Sequence, residues 1–176
     1  MTEKIIIAGE GGQGIMLLGK VLAEAAMLEG RFVTWLPSYG AEVRGGTAHC
    51  MVIVSDEQIG SPYIKQADSA IIMNNPSFER FKERVGKKGL IIVNSSLVPP
   101  QQESGRRFVF HPFTSLAIGA GNIKVANMVA IGCFIRLTGL VKKESVLKVI
   151  QAHTPAGRQE VGEVNKRALA EGMALA

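Results

Sequence analysis

A run of three isoleucines, Ile5-Ile6-Ile7, leads into Gly9-Glu10-Gly11-Gly12-Gln13-Gly14, and a helical pattern follows at once. No other feature constrains the fold as strongly as this junction. Consecutive β-branched residues make a strand covered on both faces, as strands inside parallel sheets are. Beyond the turn, Leu18, Val21, Leu22, Ala25 and Ala26 recur at helical spacing and mark one apolar face. Gly30 ends this helix where a left-handed cap costs little, and Phe32 to Leu36 reads as a second strand stopped by Pro37. Strand, turn, helix and strand in this order require a crossover. The pattern therefore predicts a Rossmann-like α/β domain whose mostly parallel sheet is flanked by helices.

The remaining chain extends that plan. Further strands are expected at Thr47 to Val54, Ser69 to Met73, Leu90 to Val93 and Arg107 to Phe110. In the first of these, Ala48, Cys50, Val52 and Val54 share a face. Ser77 is expected to cap a short helix with Phe78, Phe81 and Val85 as its buried stripe. The C-terminal third reads as helical, over Ile123 to Thr138 with Asn122 as cap, then Lys142 to Ala152 and Asn165 to Glu171. The first of these helices is apolar nearly all round from Met128 to Ile135. Such a helix is either centrally buried or pressed against another chain, and the modest size of the protein favours the second. Without repeats or a second composition, residues 1–176 read as one domain, large enough to bury a core without disulfides or metal.

Composition excludes several function classes. The formal net charge is +5, but the basic residues are scattered as short pairs such as Lys87-Lys88, Arg106-Arg107 and Lys142-Lys143. No basic tract or zinc-binding spacing accompanies them, so nucleic acid is not an expected partner. Cys50 and Cys133 stand alone in apolar runs and cannot hold an iron–sulfur cluster by themselves. No metal is expected in this chain. No stretch approaches the ~18 apolar residues that cross a bilayer, and Met1-Thr2-Glu3-Lys4 does not open a signal peptide. A cytoplasmic protein is the expectation.

In an open parallel sheet, ligands collect beyond the carboxyl ends of the strands. Here those ends carry Gly9 to Gly14, Ser38-Tyr39, Asn74-Asn75, Asn94-Ser95-Ser96 and His111, each polar or glycine. Gly9, Gly11 and Gly14 meet the G-x-G-x-x-G spacing between a strand and a helix. Bare glycines let a ligand approach the backbone, and the free N–H groups of a helix start attract negative charge. A phosphate or a carboxylate is the natural guest. A nicotinamide dinucleotide would also need an acid at the end of the second strand, where Trp35-Leu36-Pro37 stand instead, and Glu42 comes too late. A stand-alone NAD(P)-binding dehydrogenase domain therefore ranks second, and a purely structural scaffold third. A second glycine-rich loop, Ser38-Tyr39-Gly40-Ala41-Glu42-Val43-Arg44-Gly45-Gly46-Thr47, carries a permanently charged, forked Arg44 suited to carboxylate or phosphate. His49, His111 and His153 lack partners for catalysis, and Asn127 is unusual inside a helix. No self-sufficient catalytic machinery is visible.

Both glycine-rich segments, together with Ser55-Asp56-Glu57-Gln58-Ile59-Gly60-Ser61-Pro62 and Lys124-Val125-Ala126-Asn127-Met128-Val129-Ala130, resemble the gamma subunit of 2-oxoacid:ferredoxin oxidoreductases. The likeness runs in unchanged order from the first strand to the last helix. It implies a multi-subunit enzyme that decarboxylates a 2-oxoacid, passes electrons to ferredoxin and transfers the acyl group to coenzyme A. Thiamine diphosphate, magnesium and the iron–sulfur clusters would belong to alpha, beta and delta partner subunits, so this chain would hold no cofactor alone and show no activity alone. Carried onto this sequence, Gly9, Gly11, Gly12, Gln13 and Gly14 would form a backbone cradle that faces either coenzyme A or a partner chain. Ser38, Tyr39, Gly40, Arg44, Gly45 and Gly46 would line the adjoining interface or ligand rim. Ala41 replaces a Pro common in relatives, which alters loop stiffness more than chemistry. The spelling of the motifs is nearest to the 2-oxoglutarate type, with pyruvate and branched-chain oxoacids left open. A homodimer is left open for the isolated chain.

Overall fold

The computed structural model describes residues 1–38, 47–101 and 105–175. Strand β1 (Thr2–Glu10) is central, and its Ile5, Ile6, Ile7 and Ala8 are fully buried. Their alternation explains the apolar run. Ile5 and Ile7 point into one core and Ile6 and Ala8 into the other, so every residue is covered. Helix α1 (Ile15–Leu28) follows the glycine turn, and β2 (Phe32–Ser38) returns to the sheet.

Pro37 does not stop β2. The strand runs on to Ser38, with Pro37 opposite Cys50. Because β2 is an edge strand, a residue without an amide proton is tolerated there. Strand β3 (Thr47–Ser55) pairs antiparallel with both β1 and β2 and separates them. The β1-to-β2 crossover thus skips one place, and the sheet departs from a wholly parallel, doubly wound plan.

The other half is parallel. Strands β4 (Ala67–Ile72), β5 (Val85–Asn94) and β6 (Arg107–His111) add to β1 in turn, giving the order β2-β3-β1-β4-β5-β6. Five strands point one way and β3 opposes them, so the sheet is mostly parallel. Helix α2 (Asn75–Phe81) covers one face and is continued by a 3₁₀ turn over Lys82–Arg84. Its cap is Asn74, whose Oδ1 accepts from the Ser77 amide at 3.1 Å; Ser77 lies inside the helix. Phe78 and Phe81 are its buried stripe, while Val85 opens β5.

The opposite face is thicker. It carries α1, a short α3 (Phe113–Gly119) with no clear sequence signal, and α4 (Ala126–Thr138). Asn122 caps a 3₁₀ turn, Ile123–Val125, ahead of α4, and Gly139 closes α4 in the left-handed region at φ 63°. Helices α5 (Lys143–His153) and α6 (Gln159–Met173) complete the layer. All of Ala126 to Ile135 is buried within this chain, which overturns the expectation that α4 rests on another one. The cover is α6. A Cβ on Gly132 would run into the Leu169 carbonyl, and one on Gly172 into the Val129 carbonyl, so the two helices touch backbone to backbone.

Candidate functional site

The carboxyl ends of β1, β2, β4, β5 and β6 share one rim with the start of β3, because Glu10 pairs with Thr47 and Ser38 with His49. The glycine turn sits there, beside the point where the chain switches direction between β1 and β4. Crevices of this kind are where open α/β sheets bind ligands.

The glycines of the turn answer to different needs. Gly9 is buried, and a Cβ there would press on Gln13 Oε1, Ile15 Cδ1 and Met73 Cβ at 2.5–2.9 Å. Gly14 has φ 72°, and a Cβ would strike the Asn127 amide. Gly12 has φ 94° with nothing among the described residues within 4 Å of its Cβ direction. Gly11 is exposed and has no positive φ.

Gln13 turns inward. Its Oε1 accepts from the Glu10 amide at 2.7 Å and its Nε2 donates to the Met73 carbonyl at 3.3 Å. The side chain thereby ties β1's turn to the end of β4, while the Gln13 amide donates to the Glu10 carbonyl at 3.2 Å. Past that point the turn is unsatisfied. The first helical bond runs from Leu18 N to Gly14 O at 2.9 Å, and the amides of Gly12, Gly14, Ile15 and Met16 find no acceptor among the described residues. Helix α1 has neither a side-chain cap nor an acidic residue in its first turn. Its partial positive charge is therefore left uncompensated by its own cap and first turn.

These amides border an open pocket of about 390 Å³. Gly11, Gly12, Gly14 and Ser38 line it, as do Ile15 and Leu17. Gly9 and Gln13 lie beneath it, outside the lining. Glu10 is the charged residue of the described lining, so attraction for an anion comes from backbone dipoles here. Tyr39, Gly40, Arg44, Gly45 and Gly46 lie outside the described residues; the flanking Ser38 and Thr47 both reach this rim.

Other rim groups are already engaged. Asn94 is fully buried; its Nδ2 donates to Met73 O at 3.1 Å and Thr114 Oγ1 at 2.8 Å, and its Oδ1 accepts from the Thr114 amide at 3.3 Å. Asn74 thus caps α2, and Asn94 ties the end of β5 to the first turn of α3. His111 lies 6.2 Å from the Phe113 ring, and partial burial lowers its pKa. Burial pushes the Cys50 thiol up to about 12 and Cys133 to about 11, so both stay protonated and unreactive. No group of three His, Cys, Asp or Glu among the described residues could hold a metal, and no helix among them is long and apolar enough to cross a membrane.

Asn127 is the site residue whose place was not foreseen. At the start of α4 it is 2 % exposed, its Nδ2 donates to Gly14 O at 3.3 Å, and its Oδ1 has no partner among the described residues. The signal was an amide in an otherwise apolar helix, but its target lies 113 residues away in sequence. Leu17 and Ala48 in the lining carried no chemical signal at all.

Residues 4–175 match the family model described as pyruvate ferredoxin/flavodoxin oxidoreductase. The ketoisovalerate oxidoreductase subunit VorA of Methanothermobacter thermautotrophicus is 36% identical over 96% of this chain, which spans only 35% of the VorA length. The 2-oxoglutarate synthase subunit KorC of Archaeoglobus fulgidus is 37% identical, with 89% of this chain and 81% of KorC covered. Among solved structures, the gamma subunit of a keto/oxoacid ferredoxin oxidoreductase from Geobacter sulfurreducens superposes with a TM-score of 0.86 at 30% identity, covering 99% of this chain and 98% of that one. The 2-oxoglutarate:ferredoxin oxidoreductase of Magnetococcus marinus, solved with 2-oxoglutarate, coenzyme A and succinyl-CoA bound, gives 0.91 at 25% identity, over 99% of this chain and 31% of that one.

Proposed function

Because the chain belongs to the pyruvate ferredoxin/flavodoxin oxidoreductase family, we propose that it serves as the gamma component of a 2-oxoacid:ferredoxin oxidoreductase and that its glycine turn holds an anionic group of coenzyme A. The observation that carries this reading is the set of amides at Gly12, Gly14, Ile15 and Met16 without acceptors among the described residues, opening on a pocket of about 390 Å³. Coenzyme A offers phosphates at one end and a long, weakly polar arm. The pocket matches that composition, with backbone donors at the turn and Ile15, Met16, Leu17 and Ala48 along its sides.

In the complete enzyme a 2-oxoacid loses carbon dioxide, its acyl group passes to coenzyme A, and the electrons released pass to ferredoxin. Thiamine diphosphate with magnesium supplies the decarboxylation chemistry when bound, and alpha, beta and delta subunits hold it together with the iron–sulfur clusters. The role of this chain is to grip and orient the thiol co-substrate. Gly12 allows close approach, Gly14 and Asn127 hold the turn in shape, and Gln13 keeps β1 and β4 together beneath it. The substrate we put first is 2-oxoglutarate, because relatives of that name match along most of both chains.

A dinucleotide fits this rim less well. In that recognition mode the second strand lies beside the first and its terminal acid holds the ribose. Here β3 intervenes and β2 ends in Leu36-Pro37-Ser38.

The test uses the complex reconstituted with its partner subunits. Gly11→Asp places a carboxylate at the turn without demanding a forbidden backbone angle, and Gly11→Ser is the neutral control. The KM for coenzyme A is expected to rise about tenfold in the Asp variant, as for a charge set against a helix N-terminus, with kcat little changed. An assembled Gly11→Asp complex with the parental KM for coenzyme A would remove the turn from the site.

A further inference from the structure

Positive charge is unevenly placed in this chain. Between Glu79 and Arg107 stand seven Lys and Arg against three Glu, so this stretch contributes +4 of the formal +5. The fold turns it into a surface. The Arg80 guanidinium lies 5.3 Å from the Phe81 ring centre, and its Nη1 donates to Thr47 Oγ1 at 2.5 Å. Arg84 lies 5.7 Å from the ring centres of both Phe81 and Tyr63, and its Nη2 donates to the Ile64 carbonyl.

Next to Tyr63, the side chains of Lys4, Lys65 and Lys88 border an open depression of about 460 Å³. Asp68 is the acid of its described lining, and its Oδ2 already accepts from the Lys4 amide at 2.9 Å. Lys4, Lys65, Arg80, Arg84 and Lys88 form no ion pair among the described residues. The depression lies where β1, β4 and β5 begin, at the opposite end of the sheet from the glycine turn.

We propose that this face is a docking surface for an acidic face of a partner protein. Arg80 is anchored at Thr47, which pairs with Glu10, whereas Lys4 is six residues earlier on β1. At about 3.3 Å per residue the cations extend over about 20 Å. A row of carboxylates can match that span, and one small anion cannot. Ring contacts, with a hydrogen bond to the Thr47 hydroxyl for Arg80 and to the Ile64 carbonyl for Arg84, hold both guanidinium groups in place, so docking orders little that is not already ordered. Tyr63, 60% exposed, adds the aromatic anchor that protein interfaces favour beside Arg. The proposal does not depend on the enzyme reading, since the surface runs from the far end of the sheet along the α2 face and reaches the glycine-turn rim only at Thr47.

The test is an amide NMR titration of the ¹⁵N-labelled full chain with poly-L-glutamate, and separately with inorganic phosphate, at low and at high salt. Poly-glutamate is expected to shift Tyr63 to Lys65, α2 and Lys87-Lys88, with binding that weakens as salt rises. The exposed double variant Lys65→Glu/Lys88→Glu should lose about tenfold in affinity. Lys142→Glu/Lys148→Glu at α5, the same change in net charge, should stay within about twofold of the parent. Equal losses in both double variants would reduce the effect to net charge and overturn the proposal. So would shifts centred on the glycine turn, or phosphate binding the same amides as tightly as the polymer.

Discussion

His49 shows how one residue is shaped by what lies around it. It is 9 % exposed and packs 4.8 Å from the Phe81 ring. Burial lowers its pKa, nearby Arg80 and Arg84 add to the effect, and a backbone hydrogen bond at Thr47 works against it. Burial lowers the pKa of His111 as well. Each ring is thus harder to protonate in the folded protein than in the unfolded chain. The unfolded state binds more protons, so these groups favour folding above their ordinary pKa of 6.5. That contribution is lost as pH falls through the depressed folded values. The melting temperature should drop between pH 8 and pH values below 6.5, and drop less in His49→Leu/His111→Gln. A drop of the same size in the double variant would assign the effect elsewhere. Glu3 works in the opposite direction at the acid end, because burial, outweighing the Ser69 hydrogen bond, raises its pKa. The glycines teach the same lesson in conformational terms. Gly9 is required by packing, Gly14 by its backbone angle and by Asn127, and Gly12 by its backbone angle alone.

Among the elements, the α4–α6 crossing is the most tightly specified. With Gly132 and Gly172 in contact with the opposite backbone, no side chain fits between the helices. Gly172→Ala is expected to destabilise the protein by about 2 kcal/mol through overpacking. Gly119 at the end of α3 has nothing within 4 Å of its Cβ direction and no positive φ. Gly119→Ala should therefore be neutral or stabilise by up to about 1 kcal/mol. Urea unfolding of both variants checks the pair, and like signs would contradict the crossing geometry. The apolar girth of α4 was legible in the sequence, but its cause was not. A helix apolar all round reports that it is covered without naming the cover, and here α6 supplies it from within the chain.

The strand order governs the whole molecule. Inserting β3 between β1 and β2 moves β2 to the edge, about 10 Å from β1, two strand spacings instead of one. The acid-bearing second strand of a dinucleotide site has no counterpart beside β1. Titration of the protein with NADH, followed by nucleotide fluorescence, should show no saturable binding in the micromolar range. Saturation there would restore the dehydrogenase reading. The same arrangement gives the sheet two chemically different ends. The rim carrying the glycine turn offers backbone amides without acceptors among the described residues, and the opposite end offers the side chains of Lys4, Lys65 and Lys88.

Local order along the chain was enough to determine β1, the glycine turn, α1 and its Gly30 cap, because each depends on neighbours within a few residues. Family membership was legible for a related reason, since its motifs are short and keep their order. Tertiary structure decided the antiparallel entry of β3, the burial of α4 under α6 and the reach of Asn127 to Gly14. Strand pairing, helix cover and a hydrogen bond across 113 residues arise from contacts between segments distant in sequence. Periodicity within one segment shows which face is covered, and only the folded chain supplies what covers it.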